Sequence, residues 1–301
     1  MANTGYYLLK SLTWVVHLFP LRMNFILSDV LFVIVYYIAG YRKRVVLENL
    51  KNSFPEKTSN EINLIARKFY QNFCDSFIET LYFDRISEEE IKKRVVFRNP
   101  ELPNHYMAQG RQLAVLFGHY GNIEWLCSWP LHCSWPLHSQ YEFDTIYKKL
   151  RSQTFERYYR QSRSRFGGNP LEKAVSVRAL LNNVKNNRPA FVTFLFDQCP
   201  KVHEIEHWMP FLNQDTPVQT GTEKVAQKIN AVSIYLHQRK IKRGYYEVEF
   251  YLIDENAAQT ARFELTEKMN RMLEKIIIEE PEHWLWSHKR WKHKRNQTVR
   301  T

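Results

Sequence analysis

Residues 112–125 read QLAVLFGHYGNIEW, a mostly apolar run followed by two closely spaced glycines. The run at 112–117 has the length and composition of a buried strand, and Gly118 ends it. Gly118 and Gly121 permit a tight turn, and a helix is predicted to begin soon after it. A buried strand that leads through a tight turn into a helix is typical of an α/β fold.

The chain alternates between strands and helices after residue 110. Strands are predicted at residues 112–117, 143–147, 190–196, 232–237 and 246–253. Helices are predicted at residues 152–166, 171–185, 220–229 and 261–278. This alternation predicts an α/β core with a mixed, mostly parallel sheet flanked by helices.

The first 100 residues have a different pattern, with predicted helices at 59–82 and 87–94. Residues 6–41 are the most apolar stretch, and polar residues and Pro20 interrupt them. The longest clean run, 30–39, is about half of the roughly 20 residues that span a bilayer. We therefore predict two short helices, broken near Pro20, that lie on a membrane or dip into it. A pair of buried core helices is the alternative.

A basic cluster, Arg42, Lys43 and Arg44, follows this apolar stretch at a position where it can meet anionic headgroups. The positive-inside tendency places such a cluster on the cytoplasmic face. The predicted organisation is a membrane-associated helical segment at 1–54 and an α/β domain at 55–301. Because no long Gly/Ser/Pro linker separates them, we expect one globular unit.

The composition indicates which classes of partner the chain could bind, but it does not select one of them. The chain has 301 residues, with 43 Lys and Arg against 31 Asp and Glu and a formal charge of +12. This excess favours anionic lipid, nucleic acid or an acidic protein, and it also fits a solvated basic surface. The four cysteines form no CxxC pair, and no cleavable-signal pattern is present, which together favour a reducing, cytoplasmic-side location.

The turn after the first buried strand carries the strongest candidate for chemistry, His119 and Glu124. If His119 lies on the loop and Glu124 in the first helical turns, the carboxylate can reach back to the imidazole. Glu124 would then fix one ring nitrogen, and the other could take a proton from a hydroxyl. A structural histidine beside a helix-capping residue fits the same spacing.

Other patterns compete with this one. His203-Glu204-Ile205-Glu206-His207 matches HExxH, which holds zinc in peptidases when both histidines share a helix face, but Pro200 and Pro210 bracket it. The tail at 284–295 mixes Trp with Lys and Arg, as nucleic-acid surfaces and membrane anchors do, and we favour lipid contact. The hexapeptide CSWPLH occurs twice, at 127–132 and 133–138, and is predicted to be an insertion in a surface loop.

Basic side chains crowd one further segment. Arg side chains bind phosphate bidentately, so this segment could hold a phosphorylated glycolipid, and a solvated face is the alternative. The arginines are Arg151, Arg157, Arg160, Arg163 and Arg165.

The segment around His119 resembles the H-x4-D/E motif of the lysophospholipid acyltransferase superfamily. The chain is similar to its lipid A biosynthesis (late) acyltransferase branch over most of its length. The residues that carry the similarity are YRKRVVLENL at 41–50, GHYGN at 118–122, DQCP at 197–200, PFL at 210–212 and the block at 284–291.

This resemblance implies an O-acyltransferase that moves an acyl chain from a thioester, on acyl carrier protein or CoA, to a lipid hydroxyl. It implies His119 as general base with Glu124 as its acidic partner, and no metal or organic cofactor. The residues expected to bind substrate are Tyr120, Gly121, Asn122, Tyr147, Lys148, Arg163, Asp197 and Gln198.

The expected partners are the acyl donor, a membrane lipid acceptor and an anionic membrane surface, with no nucleic acid. The expected location is the cytoplasmic face of the inner membrane. Three alternatives stay open: another acceptor such as a glycerophospholipid, an aminolipid or a pigment; a zinc peptidase built on His203 and His207; and a non-enzymatic basic protein that binds membrane.

Overall fold

The computed structural model of the chain describes residues 2–134 and 141–295. The α-helices are α1 Ala2–His17, α2 Leu21–Phe32, α3 Lys43–Ser53, α4 Ser59–Phe83, α5 Glu88–Arg94, α6 Glu101–Ala108, α7 Gln153–Ser164, α8 Lys173–Lys185, α9 Gly221–Lys228 and α10 Glu264–Glu279. The strands are β1 Val95–Phe97, β2 Leu113–Phe117, β3 Glu142–Tyr147, β4 Asn169–Glu172, β5 Ala190–Leu195, β6 His207–Phe211, β7 Gln214–Val218, β8 Val232–Lys242 and β9 Tyr245–Asp254.

Seven strands form one sheet in the order β1-β9-β8-β2-β5-β3-β4. Strands β8 and β9 pair antiparallel, whereas the other neighbours in this sheet pair parallel. Strands β6 and β7 form a separate antiparallel hairpin. The prediction of a mixed, mostly parallel sheet flanked by helices is confirmed.

The core lies on both faces of this sheet, with β2 at its centre. Every residue of β2 is buried, and successive side chains enter opposite clusters: Ala114 and Leu116 face one, and Leu113, Val115 and Phe117 face the other. Burial on both faces explains why this strand is a continuous apolar run without alternation.

The N-terminal helices are broken at Pro20, as predicted. A π-helical stretch, Val33–Ile38, continues α2. Polar contacts fix α2 to the rest of the fold: Ser28 Oγ donates to Asp75 Oδ1 of α4 at 2.7 Å, and Arg243 bridges Asp29 and Asp75. The segment Leu21–Ile38 is long and apolar enough to cross a membrane, and a third of it is buried against the protein.

Large apolar side chains on the other side of these helices are exposed. We call this surface the N-terminal apolar face; it comprises Tyr7, Leu8, Leu12, Trp14, Val15, Leu18, Phe19, Met23, Ile26, Leu27, Val30, Val33, Ile34, Tyr37 and Ile38. A contiguous apolar surface of this kind marks a contact with a membrane or another protein.

The first copy of the CSWPLH repeat does not lie in a surface loop, so that prediction is wrong for it. Residues 123–132 form a 3-10 helix in which Trp129 is 1% exposed and stacks on Phe191 of β5 at 5.3 Å. The indole ring fills the space under the sheet, which explains the burial. Of the second copy, residues 135–138 lie outside the described residues.

Candidate active site

Two neighbouring parallel strands bring the candidate residues together. Phe117 at the end of β2 is in register with Leu195 at the end of β5, so residues 118–119 and 196–198 follow at the same edge of the sheet. Ligand groups in α/β proteins usually lie at this carboxyl edge. Gly118 allows the close approach, because a Cβ there would lie 3.2 Å from Asp197 Oδ2 and 2.9 Å from the Leu273 side chain.

His119 forms two hydrogen bonds to the carboxylate of Asp197. Its Nδ1 lies 2.6 Å from Asp197 Oδ1, and its backbone N–H donates to Oδ2 at 2.8 Å. Asp197 is 3% exposed, whereas 19% of the His119 side chain reaches solvent. With Nδ1 held by the carboxylate, the imidazole keeps Nε2 as its proton acceptor.

Charges around the pair shift both pKa values. Burial by itself would lower the pKa of His119, but the charge and hydrogen bond of Asp197 outweigh it, and the pKa is raised. Burial raises the pKa of Asp197, but the His119 charge and hydrogen bonds, with the Trp284 N–H, lower it to about 2. Asp197 is therefore an anion at neutral pH that stabilises the imidazolium form of His119.

Glu124 does not hold the imidazole as predicted. Its carboxylate accepts two hydrogen bonds from Arg163 of α7, from Nε at 2.9 Å and from Nη2 at 2.6 Å. The 3-10 helix that begins at Ile123 directs Glu124 toward α7, whereas Asp197 occupies the position beside Nδ1. Glu124 is near enough for its charge to contribute to the raised pKa of His119.

Gln198 contacts the other nitrogen of the imidazole. Its Nε2 lies 3.1 Å from His119 Nε2. The backbone around Gln198 is fixed, because its carbonyl accepts from Gln219 Nε2 at 2.9 Å and the Cys199 N–H donates to His288 Nε2 at 3.0 Å. Both ring nitrogens of His119 therefore have partners from the turn that follows β5.

The C-terminal block at 284–291 packs against Asp197 and the His119 turn. The prediction that its tryptophans contact lipid is therefore wrong. Trp284 is 2% exposed and Trp286 is fully buried. Trp284 Nε1 donates to Asp197 Oδ2 at 2.8 Å, and the Leu285 N–H donates to the His119 carbonyl at 3.0 Å. These aromatic rings are part of the core, and so is Arg290, which is 1% exposed, whereas Lys289 and Lys292 are exposed.

The residues that follow His119 are used to build the turn. Tyr120 Oη donates to the Glu280 carbonyl at 2.9 Å, and Asn122 Nδ2 donates to Glu79 at 2.7 Å. Gly121 has φ +68°, and a Cβ there would lie 2.4 Å from Gln238 Oε1. The side chains of Tyr120 and Asn122 are buried, so their observed contacts are structural.

The remaining predicted binding residues lie at the end of β3 and on α7. Tyr147 Oη donates to Glu156 at 2.6 Å, and Lys148 is exposed. In the predicted basic segment, Arg165 donates to the backbone carbonyls of Phe83 and Ile86, and Arg157 lies over the Tyr6 ring. Together with the Arg163–Glu124 pair, these contacts show that the segment is only partly a free basic surface.

The HExxH segment does not form a helix. Val202–Glu204 is a short 3-10 turn, and β6 begins at His207, so the two histidines share no helix face. His203 is exposed, and His207 contacts Glu267 at 2.8 Å. Among the described residues, no group of three His, Cys, Asp or Glu side chains could hold a metal ion. The zinc-peptidase alternative requires both histidines on one face of a helix, and it is therefore wrong.

A buried carboxylate fixes a partly exposed histidine at the carboxyl edge of a parallel sheet, an arrangement that can take a proton from a hydroxyl. The model of the bacterial lipid A biosynthesis acyltransferase family matches residues 2–293, and the chain belongs to this family. Among curated proteins, none matches the sequence. The family makes the chain an acyltransferase for lipid A-like acceptors, and with the apolar helix Leu21–Ile38 it suggests membrane association.

Proposed function

We propose that this chain transfers a fatty acyl chain from an acyl thioester on acyl carrier protein to a hydroxyl of a lipid A precursor or a related glycolipid. The observation that carries the proposal is the contact of His119 Nδ1 with the buried Asp197 carboxylate, in a chain of this family. That contact leaves Nε2 as the basic atom of a side chain that is 19% exposed.

The reaction follows from this assignment. The acceptor hydroxyl gives its proton to His119 Nε2, and its oxygen attacks the thioester carbonyl carbon. Asp197 stabilises the imidazolium that forms. The C–S bond then breaks, and the departing thiolate takes the proton from His119. The role of orienting the base is thus assigned to Asp197 and not to Glu124.

Glu124 keeps a catalytic role in the proposal, through its charge. Its carboxylate favours the imidazolium form of His119, and the Arg163 guanidinium fixes it in place. The outer binding groups are Tyr147 and Lys148, because exposed Lys148 lies at the end of β3 and can meet a phosphate of the acceptor.

The proposed location is the cytoplasmic face of the inner membrane, with the N-terminal apolar face immersed and without a span. Asp29 of α2 is paired with Arg243, and Asp75 ties both to α4, so α2 lies along the protein rather than leaving it. Exposed Arg42 and Arg44 follow this face and can meet anionic headgroups. The formal charge of +12 also suits acyl carrier protein, which is acidic.

The test is transfer of a labelled acyl group from acyl carrier protein to a mixed lipid extract by the full chain in vesicles. His119→Ala is expected to lower transfer by roughly 100-fold or more, as loss of a general base does. Glu124→Gln is expected to lower it less, because it removes a charge and leaves the Asp197 contact. His203→Ala, an exposed histidine outside the site, is the matched control.

The results of this assay bear separately on the mechanism, the acceptor and the donor. Wild-type rates in His119→Ala would overturn the mechanism. The mass of the labelled product identifies the acceptor, and a labelled glycerophospholipid, aminolipid or pigment would assign the same chemistry to another lipid. If acyl-CoA replaces acyl carrier protein without loss of rate, the donor assignment is wrong and the chemistry stands.

A further inference from the structure

The resting state of the site contains a hydrogen bond that competes with the reaction. Asp197 is ionised and occupies His119 Nδ1, so in the neutral imidazole the proton is on Nδ1 and Nε2 is the acceptor. The group that donates to Nε2 is the amide Nε2 of Gln198, at 3.1 Å. Any hydroxyl that is to be deprotonated must donate to the same atom, and must therefore displace Gln198.

We infer that Gln198 is a specificity-determining residue that favours the lipid hydroxyl over water as the nucleophile. This inference rests on the proposed function and deepens it. A lipid acceptor held by its headgroup and acyl chains can use that binding energy to displace the amide. Water brings no such binding energy, so it meets the full cost of breaking the Gln198–His119 hydrogen bond.

The turn that bears Gln198 is built to keep the amide in place. The Gln198 carbonyl accepts from Gln219, the next N–H along the chain donates to His288, and Asp197 on the other side is held by Trp284. The Gln198 side chain is half-buried, and its contact with His119 Nε2 is the one that a reacting hydroxyl must replace. The backbone is thus fixed while the amide itself can be displaced.

The competing reaction is hydrolysis of the donor. Water gives one proton to His119 Nε2 and its oxygen bonds to the thioester carbonyl carbon. The C–S bond breaks, the thiolate takes the proton from His119, and the products are a free fatty acid and the carrier thiol. The chemistry is the same as in transfer, so the ratio of free fatty acid to acylated lipid reports which nucleophile reaches the base.

The variant that tests this is Gln198→Met, which keeps a side chain of similar length and removes the N–H donor. The full chain in vesicles is given acyl carrier protein that carries a labelled acyl chain, with lipid extract at saturating concentration, so that the bound lipid has already displaced the amide and water has not. Both products are counted, and a reaction without lipid extract gives the rate of hydrolysis alone. We expect the ratio of fatty acid to acylated lipid to rise about threefold to tenfold, the effect of one net hydrogen bond. Gln227→Met, which loses an amide hydrogen bond to Thr260 and touches neither this turn nor His119, should leave the ratio unchanged.

A second measurement does not depend on activity. A donor to Nε2 favours the neutral imidazole, so its removal should raise the pKa of His119. NMR titration of the histidine side chains in wild type and Gln198→Met follows this shift. A lowered or unchanged product ratio overturns the inference, and an unchanged His119 pKa would show in addition that Gln198 does not donate to the imidazole.

The outcomes separate the two proposals. If wild type forms acylated lipid and Gln198→Met gives the same product ratio, only the role of Gln198 fails. If wild type forms neither acylated lipid nor fatty acid from any thioester, the proposed function fails, and the NMR titration still decides whether Gln198 donates to the imidazole.

Discussion

The indole N–H of Trp284 donates to Asp197 Oδ2 at 2.8 Å, on the same oxygen that accepts the backbone N–H of His119. These two bonds fix the carboxylate so that its other oxygen meets His119 Nδ1 at 2.6 Å. In the proposed mechanism, Trp284 therefore acts on the base through Asp197. It positions the carboxylate and, by donating to it, lowers its basicity.

Trp284→Phe keeps an aromatic ring and removes this donor. We expect kcat for transfer to fall about tenfold, the value of a hydrogen bond to a charged group, with little change in KM for the donor. The Asp197 carboxylate becomes more basic, so the pKa of His119 rises and the acid limb of the pH–rate profile moves to higher pH.

Trp286→Phe is the matched control for this prediction. Trp286 is also buried, and its indole N–H donates to the Pro281 carbonyl rather than to a catalytic group. Its loss should lower the thermal unfolding temperature to a similar degree and leave the pH–rate profile in place. Identical profiles for the two variants would show that Trp284 acts only through packing.

The charge of Asp197 predicts a shift of the pH–rate profile opposite to that of Trp284→Phe. Asp197→Asn removes the anion that raises the pKa of His119, so the acid limb should move to lower pH. At the same time kcat should fall by roughly 1000-fold, because an amide neither stabilises the imidazolium nor selects the Nδ1–H tautomer. The pH dependence of kcat/KM measures both effects, and an unmoved acid limb would argue against Asp197 as the partner of the base.

The pair of Glu124 and Arg163 predicts a stability effect. Their side chains are 11% and 18% exposed, so Arg163→Met leaves a carboxylate with little access to water. We expect the free energy of unfolding to fall by about 3 kcal/mol, and Glu124→Gln in the same chain to restore most of it. Urea unfolding in detergent would follow this.

Lys201→Met is the control for that pair. It breaks the surface ion pair with Glu204, whose side chains are 63% and 41% exposed, and should cost less than about 1 kcal/mol. A double variant no more stable than Arg163→Met would show that Arg163 stabilises the fold in another way.

The N-terminal apolar face predicts where the protein meets lipid. Replacing exposed Ile26 and Ile34 by serine should weaken binding to anionic vesicles by roughly 10-fold or more, since each such side chain contributes about 1.5–3 kcal/mol when fully buried. Leu252→Ser, which removes a comparably exposed side chain on β9, should bind like wild type. Vesicle co-sedimentation measures this, and equal loss in both variants would contradict the assignment.

Local patterns of apolar residues were sufficient to predict most of the helices and strands. The apolar runs of β2 and β5 are buried on both faces, and in α4 the spacing of Ile62 and Phe69 matches the face that packs. Strand β1 was missed because three residues are too few to show a pattern. The β6–β7 hairpin was missed because Pro210 and Pro217 are unusual in strands.

The site was predictable only in part. His119 and Asp197 were both named, but their pairing depends on β2 and β5 being neighbours, which the two separate segments do not reveal. The rule that carboxyl ends of parallel strands meet at one edge could have suggested it. The sequence around Trp284 does not indicate its contact with Asp197, because a Trp beside Lys and Arg is equally typical of a membrane interface and of a buried core.

The hydrogen bonds from the C-terminal block to the His119 turn have a consequence for synthesis. All the described strands end by Asp254, so a nascent chain reaches the end of the last strand before residues 284–285 are synthesised. At that stage Asp197 lacks the Trp284 donor and the His119 carbonyl lacks the Leu285 N–H. The contacts that complete the His119 turn are therefore among the last that the growing chain can make, and they come from residues that follow every described strand.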